Sequence, residues 1–137
     1  MRQLVLNKVK CKACGEELIS FHRHDYKKCS CPQETMVDGG TDYGRYGGKD
    51  LNQIEHLSLY TDDPFEQTRL APVWGSYGKD GKQPLKRLSV SEMTDNHIDV
   101  LITDYGSKIP KWLLDHLLKE RVYRKNNNIK IEENGLN

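Results

Sequence analysis

Long apolar runs are missing from this chain. None approaches the roughly 18–20 residues that a membrane-spanning helix needs, and the mean hydropathy is −0.79. No contact with a membrane is expected. Met1 to Lys8 hold too short an apolar stretch for a secretion signal, so a soluble, cytoplasmic protein is expected. A charge of one sign is missing as well. The 21 basic residues face 20 acidic ones, for a net +1, which excludes a strongly basic nucleic-acid coat and an acidic disordered tail. Apolar residues are in short supply. They make up 36% of 137 residues, against 30% charged. That allows one ordinary domain or two very small ones with modest cores, and a small piece with so little to bury needs a staple.

Catalytic signatures are absent too. There is no His-Glu-x-x-His, no Gly-x-Ser-x-Gly, and no His-x-Glu preceding Pro-Cys-x-x-Cys. His56, Asp62, Asp63 and His97 could in principle build a small metal-dependent hydrolase. Helix capping already accounts for Asp63 and Asp95, however, and no nucleophile–base–stabiliser set is visible. A non-enzymatic role is expected.

What the chain does have is four cysteines in its first quarter: Cys11, Cys14, Cys29 and Cys31. The order is C-x2-C, fourteen residues, then C-x-C. In a reducing compartment disulfides seldom persist, and two close pairs at this separation read as four thiolate ligands for a structural zinc ion. Gly15 after the first pair suits a knuckle turn that aims backbone amides at sulfur. The second pair is tighter, with Ser30 between the cysteines and Pro32 behind them. Four thiolates around one Zn²⁺ leave about −2 on the site, which Lys12, Lys27 and Lys28 partly offset. His22 and His24 lie between the pairs, where strand alternation would place both rings on one face. They are alternative ligands, or exposed histidines of a ribbon hairpin.

The spacing of apolar and turn residues predicts an α+β chain. Residues 1–38 form a zinc ribbon of short antiparallel strands: a leading strand over 3–10, then strands near 17–24, 26–31 and 34–38. Residues 39–50 carry five of the eleven glycines. They read either as a flexible linker or as a contact loop bearing Tyr43, Arg45 and Tyr46. Residues 51–126 form a small α+β domain. It has a strand over 54–60, a short helix over 64–70 started by Asp63-Pro64, a tight turn at Asp80-Gly81 and a returning strand over 85–90. Two longer helices follow, over about 95–104 and 111–125. In the last helix Leu114, Leu117, Leu118 and Val122 form the buried stripe, with Lys119, Arg121, Arg124 and Lys125 outside. Trp74 and Tyr77, in a glycine-rich turn, are further candidates for partner contact. Residues 127–137 are a frayed tail. Residues 1–50 hold nine basic and seven acidic side chains, residues 51–137 twelve and thirteen; neither half carries the field of a nonspecific duplex binder.

The stretch Cys11-Lys12-Ala13-Cys14-Gly15, through His22-Arg23-His24-Asp25 and Cys29-Ser30-Cys31 to Val37-Asp38-Gly39-Gly40, resembles a family of small uncharacterised proteins of tailed bacteriophages. The segment Trp74 to Lys86, followed by Met93 and His97 and a closing helix over Ile109 to Lys125, is similar to a second stretch of phage accessory proteins. Together they span most of residues 8–125. Pro32 departs from the pattern, where glycine is usual. The resemblance implies an interaction module acting in a host cell, an inhibitor of a host defence or housekeeping protein. The runner-up is a nucleic-acid-binding ribbon using Arg23, Lys27, Lys28, Arg45 and stacked tyrosines.

Overall fold

The computed structural model describes residues 2–78 and 80–132. It is an α+β chain that divides into two compact units, Met1–Pro64 and Phe65–Asn137.

In the first unit β1 (Leu4–Cys11) is the organising strand. β2 (Glu17–Ser20) pairs antiparallel along one edge. β6 (Ile54–His56) and β7 (Leu59–Tyr60) pair along the other, with a register irregularity between Leu4 and Leu6. A second sheet is built from β3 (Lys27–Lys28), β4 (Met36–Asp38) and β5 (Arg45–Gly47), with β4 central. The expected leading strand is therefore the hub of the unit. The strand expected over 54–60 is two pieces, and both zip onto β1.

This moves the boundary. Residues 39–50 are not a linker, because β5 completes a sheet with β4 and the turn before it is pinned. The carboxamide of Asn7, 5% exposed, donates to the carbonyls of Asp38 and Gly40, both at 2.9 Å. Gly40 (φ +54°) lies so close to the backbone of His22 that a Cβ would fall 2.5 Å from its carbonyl carbon. Residues 51–64 likewise belong with the ribbon. A ribbon ending at residue 38 would have left three strands and the core residue Ile54 behind.

The core of the first unit is Val9, Cys11, Leu18, Cys29, Val37 and Ile54, with Cys31 packed against it. Three of these seven residues are cysteines, so the sulfurs are the middle of the unit rather than an appendage.

The second unit begins with a one-turn helix, α1 (Phe65–Thr68). A hairpin of β8 (Pro72–Ser76) and β9 (Lys86–Ser89) follows, then α2 (Asp95–Tyr105) and α3 (Lys111–Asn126). Asp63 does not cap α1; its carboxylate accepts from the N–H of Tyr60 at 2.7 Å. Thr94 caps α2 through the N–H of His97, and a capping box joins Ser89 and Glu92. Val90, Met93, Ile98, Leu101, Leu113 and Leu117 form the core.

On α3 the apolar and charged sides differ from expectation. Leu118 and Val122 are exposed, whereas Leu113, His116, Leu117, Glu120 and Arg124 are buried. Arg124 thus faces inward, and the reason is an ionic network. Glu120, fully buried, accepts from Arg69 on both oxygens at 2.8 Å and from Arg124 at 2.7 Å. Arg124 also donates to Asp95 and to the carbonyls of Val90 and Met93. The tail is not frayed through residue 132. Ile129 N–H bonds the Arg124 carbonyl, and Asp95 N–H bonds the Ile131 carbonyl; the rest of the expected tail, 133–137, lies outside the described residues.

His116 has a thermodynamic consequence. Its Nε2 is buried without a hydrogen-bond partner among the described residues. Desolvation, with Lys119 beside it, pulls its pKa down to about 4. The unfolded chain therefore binds a proton that the folded unit refuses. Stability of the second unit is whole above the ordinary histidine range and falls as the pH drops from about 6.5 toward 4, by about 3 kcal/mol at most. Helix melts followed across this window should show the loss, and His116→Phe should flatten the part that histidine causes.

Candidate metal centre and binding face

The two cysteine pairs meet because β1 ends where the turn after β3 begins. Cys11 is the last residue of β1, and Cys14 sits in the turn that follows. That turn closes through Gly15 N–H to the Cys11 carbonyl at 2.7 Å, with Gly15 at φ +81°. Cys29 follows β3, and its N–H bonds the carbonyl of Thr35 at 2.8 Å. The second turn closes through Glu34 N–H to the Cys31 carbonyl at 3.0 Å, with Glu34 itself at φ +53°. Pro32 is accommodated because the left-handed position falls two residues later, on Glu34.

All four sulfurs lie within 4.8 Å of one another. Cys11 to Cys31 is 3.6 Å and Cys29 to Cys31 is 3.7 Å. A tetrahedron of sulfurs about 2.3 Å from a central ion has edges of about 3.8 Å, so the cage has the size of one metal ion. All four cysteines are free thiols. Cys11 and Cys29 are buried, Cys31 is half-buried and Cys14 is exposed.

Thr35 serves the sulfurs from both ends of its residue. Its N–H reaches the Cys29 sulfur at 3.2 Å. Its fully buried hydroxyl makes no hydrogen bond among the described residues and lies close enough to Cys11 to act on its thiol. The thiol of Cys11 is drawn down to about 6, first by that hydroxyl and further by the backbone at Cys14. Cys31 goes the other way. The backbone at Gln33 favours its thiolate, but burial and the neighbouring sulfurs of Cys11, Cys29 and Cys14 push it up to about 12. Crowded sulfurs resist a second negative charge unless a cation sits among them. The four cysteines can therefore hold a metal ion, with an outer hydroxyl and amide in place.

Neither histidine joins the cage. His22 Nδ1 lies 3.0 Å from the Arg23 carbonyl. His24 Nδ1 lies 3.1 Å from the hydroxyl of Tyr43. His24, at φ +67°, is the third residue of a tight turn closed by Asp25 N–H on the His22 carbonyl at 3.0 Å. The Tyr43 hydroxyl also reaches Asp38 at 3.4 Å. Asp38 is 3% exposed and takes Arg45 through Nε at 3.0 Å and Nη2 at 2.8 Å. Burial opposes its charge, but Arg45, the N–H of Gly39 and Tyr43 hold its carboxyl below the usual aspartate range.

Tyr43, Arg45, Tyr46, Trp74 and Tyr77, expected as contact residues, are placed differently within their own units. The register pairs Asp38 with Arg45 and Val37 with Tyr46, so Arg45 and Tyr46 leave the sheet on opposite faces. Tyr46 packs edge-on against His56 at 4.4 Å. Trp74 is packed against the core of the second unit and meets His97 edge-on; Tyr77 is exposed. The hydrolase candidates are likewise scattered over different duties. Asp62 pairs with Arg2, Asp63 caps Tyr60, and His97 belongs to the other unit.

The outer face of the second sheet carries Lys28, Met36 and Gly47 in one cross-strand row and Asp38 with Arg45 in the next. Tyr26 stands exposed beside it. Sequence reasoning named Lys28 and Arg45 but missed Tyr26, Glu34 and Lys49. Only the register of β4 shows that they share a side.

Residues 3–48 match a family described as a domain of unknown function, DUF7695. The stretch holds all four cysteines and the sequence from His22 to Tyr46. No curated protein and no solved structure matches the chain. Among the described residues no helix is long and apolar enough to cross a membrane.

Proposed function

We propose that the four cysteines hold one structural zinc ion, and that the first unit is a binding module rather than an enzyme. The observation that carries this is the sulfur cage, with edges of 3.6 and 3.7 Å. Four thiolates close a tetrahedral shell and leave no position for substrate or water, which is the mark of a structural site. Zinc suits an all-sulfur tetrahedron with no redox demand. The bound ion supplies cross-linking; the chain's own residues support the shell through the Thr35 amide, on the Cys29 sulfur, and the Thr35 hydroxyl near Cys11.

On the resemblance in sequence, the chain is a phage protein acting in the host cytoplasm on a host protein. Elemental analysis of reduced, folded protein tests the reading. One zinc per chain is expected, and cobalt exchanged into the site should give the intense bands of tetrahedral thiolate coordination. A reduced, folded sample with no bound metal overturns it.

A further inference from the structure

A cleft of about 290 Å³ opens on the outer face of the second sheet, lined by Tyr26, Lys28, Glu34, Gly48 and Lys49. This is the small end of the range for ligand clefts, roughly 300–1,000 Å³, and suits one flat ring with its substituents. Tyr26, 54% exposed, offers a ring to stack on. Lys28 and Lys49 both lean on Glu34, at 3.2 and 3.6 Å. The three charges leave one positive in excess, and both ammonium groups keep donors to spare.

Glu34 is the informative residue. It holds φ +53°, at a turn where glycine would sit without strain. A carboxylate kept there against backbone preference points to a use for the carboxylate, since strain of this kind gathers at functional positions. Its oxygens can accept from the N–H groups of a base edge. Along the same face, Arg45 lies over the buried Asp38 and spends Nε and Nη2 on it. Its side chain remains 65% exposed, and Tyr43 is beside it. Cations alternating with aromatic rings on an open sheet face are what unpaired bases and their phosphates require.

We propose that this face binds single-stranded nucleic acid, with one base stacked on Tyr26 and read by Glu34, and the backbone held by Lys28, Lys49 and Arg45. This deepens, and rests on, the reading of the first unit as a binding module.

The test is fluorescence anisotropy of labelled short single-stranded DNA and RNA of mixed sequence with the zinc-loaded full chain. Mononucleotides serve as the competitor arm. Three phosphate contacts give a salt slope of about −2, so a tenfold rise in salt should weaken binding about a hundredfold. Tyr26→Ala should cost roughly five- to a hundredfold, and Lys28→Ala with Lys49→Ala should flatten the slope by about two-thirds. Glu34→Gly carries the sharpest signature. Relief of strain should raise thermal stability while preference among homopolymers is lost; a structural role alone would not alter preference. Competition by mononucleotides as strong as by the oligonucleotide would replace a strand with a free nucleotide as ligand and overturn the proposal. So would no anisotropy change at low salt, or binding indifferent to Tyr26 and the lysines, including the case where only a protein is captured. Metal content measured on each sample separates the failures. A zinc-loaded, folded chain that ignores the oligonucleotide sinks this inference alone, whereas a folded chain without metal sinks the module reading.

Discussion

Chelation under reducing conditions should unfold the first unit and leave the second standing. The cause is the composition of the first core. Its buried cluster is Val9, Leu18, Val37 and Ile54 around Cys11 and Cys29. Without the ion, these four aliphatic side chains, with Val5 and Leu6 the other buried aliphatics of the unit, must hold two small sheets together, and the crowded sulfurs must take up protons in a buried place. Apparent binding free energies of structural zinc are about 10–16 kcal/mol at neutral pH, more than a unit of this size holds in reserve. The second unit shares none of this. The chain's two tryptophans, Trp74 and Trp112, both belong to it, which gives a clean readout. Tryptophan fluorescence should stay native after chelation, while amide protection across β1, β2 and β4 collapses. The cysteines should also rank. Cys29→Ser removes a buried ligand that Thr35 N–H supports, and it should unfold the unit as chelation does. Cys14→Ser strikes an exposed ligand whose place water can take, so a weakened metal site should persist. A first unit that keeps its amide protection without metal would refute the account, as would tryptophan fluorescence that falls in step with it.

The metal cage and the two long helices were legible in the sequence for local reasons. Cysteine spacing is a local code. Thr94, Gly106 and Pro110 punctuate the helices within a turn of their ends. What could not be read was nonlocal. Nothing in Ile54-Glu55-His56 says that its partner is β1, some forty residues earlier, rather than a strand of the following domain; the glycines of 39–50 looked like a boundary for the same reason. Their freedom is spent on close approach, with Gly40 against His22, and not on mobility. The binding face was half legible. Lys28 and Arg45 stood out by type, but alternation along strands of two and three residues is too short to assign a face. Tyr46 was grouped with Arg45 although the pleat separates them. On α3, the i, i+3, i+4 pattern of leucines pointed to the stripe of Leu114, Leu117, Leu118 and Val122, not to the one through Leu113, His116, Leu117, Glu120 and Arg124 that is buried. The buried one was decided by Arg69, a residue outside the helix, which makes it possible to bury Glu120.

That burial leads to the second large effect. Glu120→Leu should destabilise the second unit by about 3–5 kcal/mol, the usual cost of leaving a buried charge unpaired. Two guanidiniums converge on this carboxylate. Arg69, with a side chain 14% exposed, has no other ion pair among the described residues, and its ring contact with Tyr123 replaces little of the lost charge interaction. Arg124 fares better, because Asp95 and the carbonyls of Val90 and Met93 remain. The asymmetry makes a rescue possible. Adding Arg69→Met to Glu120→Leu removes the stranded cation and fills the space with apolar atoms, and such exchanges are often neutral or better. The double variant should recover more than half of the loss, although it lacks one more native contact than the single. Arg124→Met should not be rescued by Glu120→Leu, since the Met93 carbonyl then loses its donor, at about 1–3 kcal/mol, and the Val90 carbonyl is left with Met93 N–H alone. Denaturant midpoints of the helical signal decide all three. If Glu120→Leu costs less than about 1 kcal/mol, or Arg69→Met adds to the damage instead of repairing it, the network is not what turns this face of α3 inward.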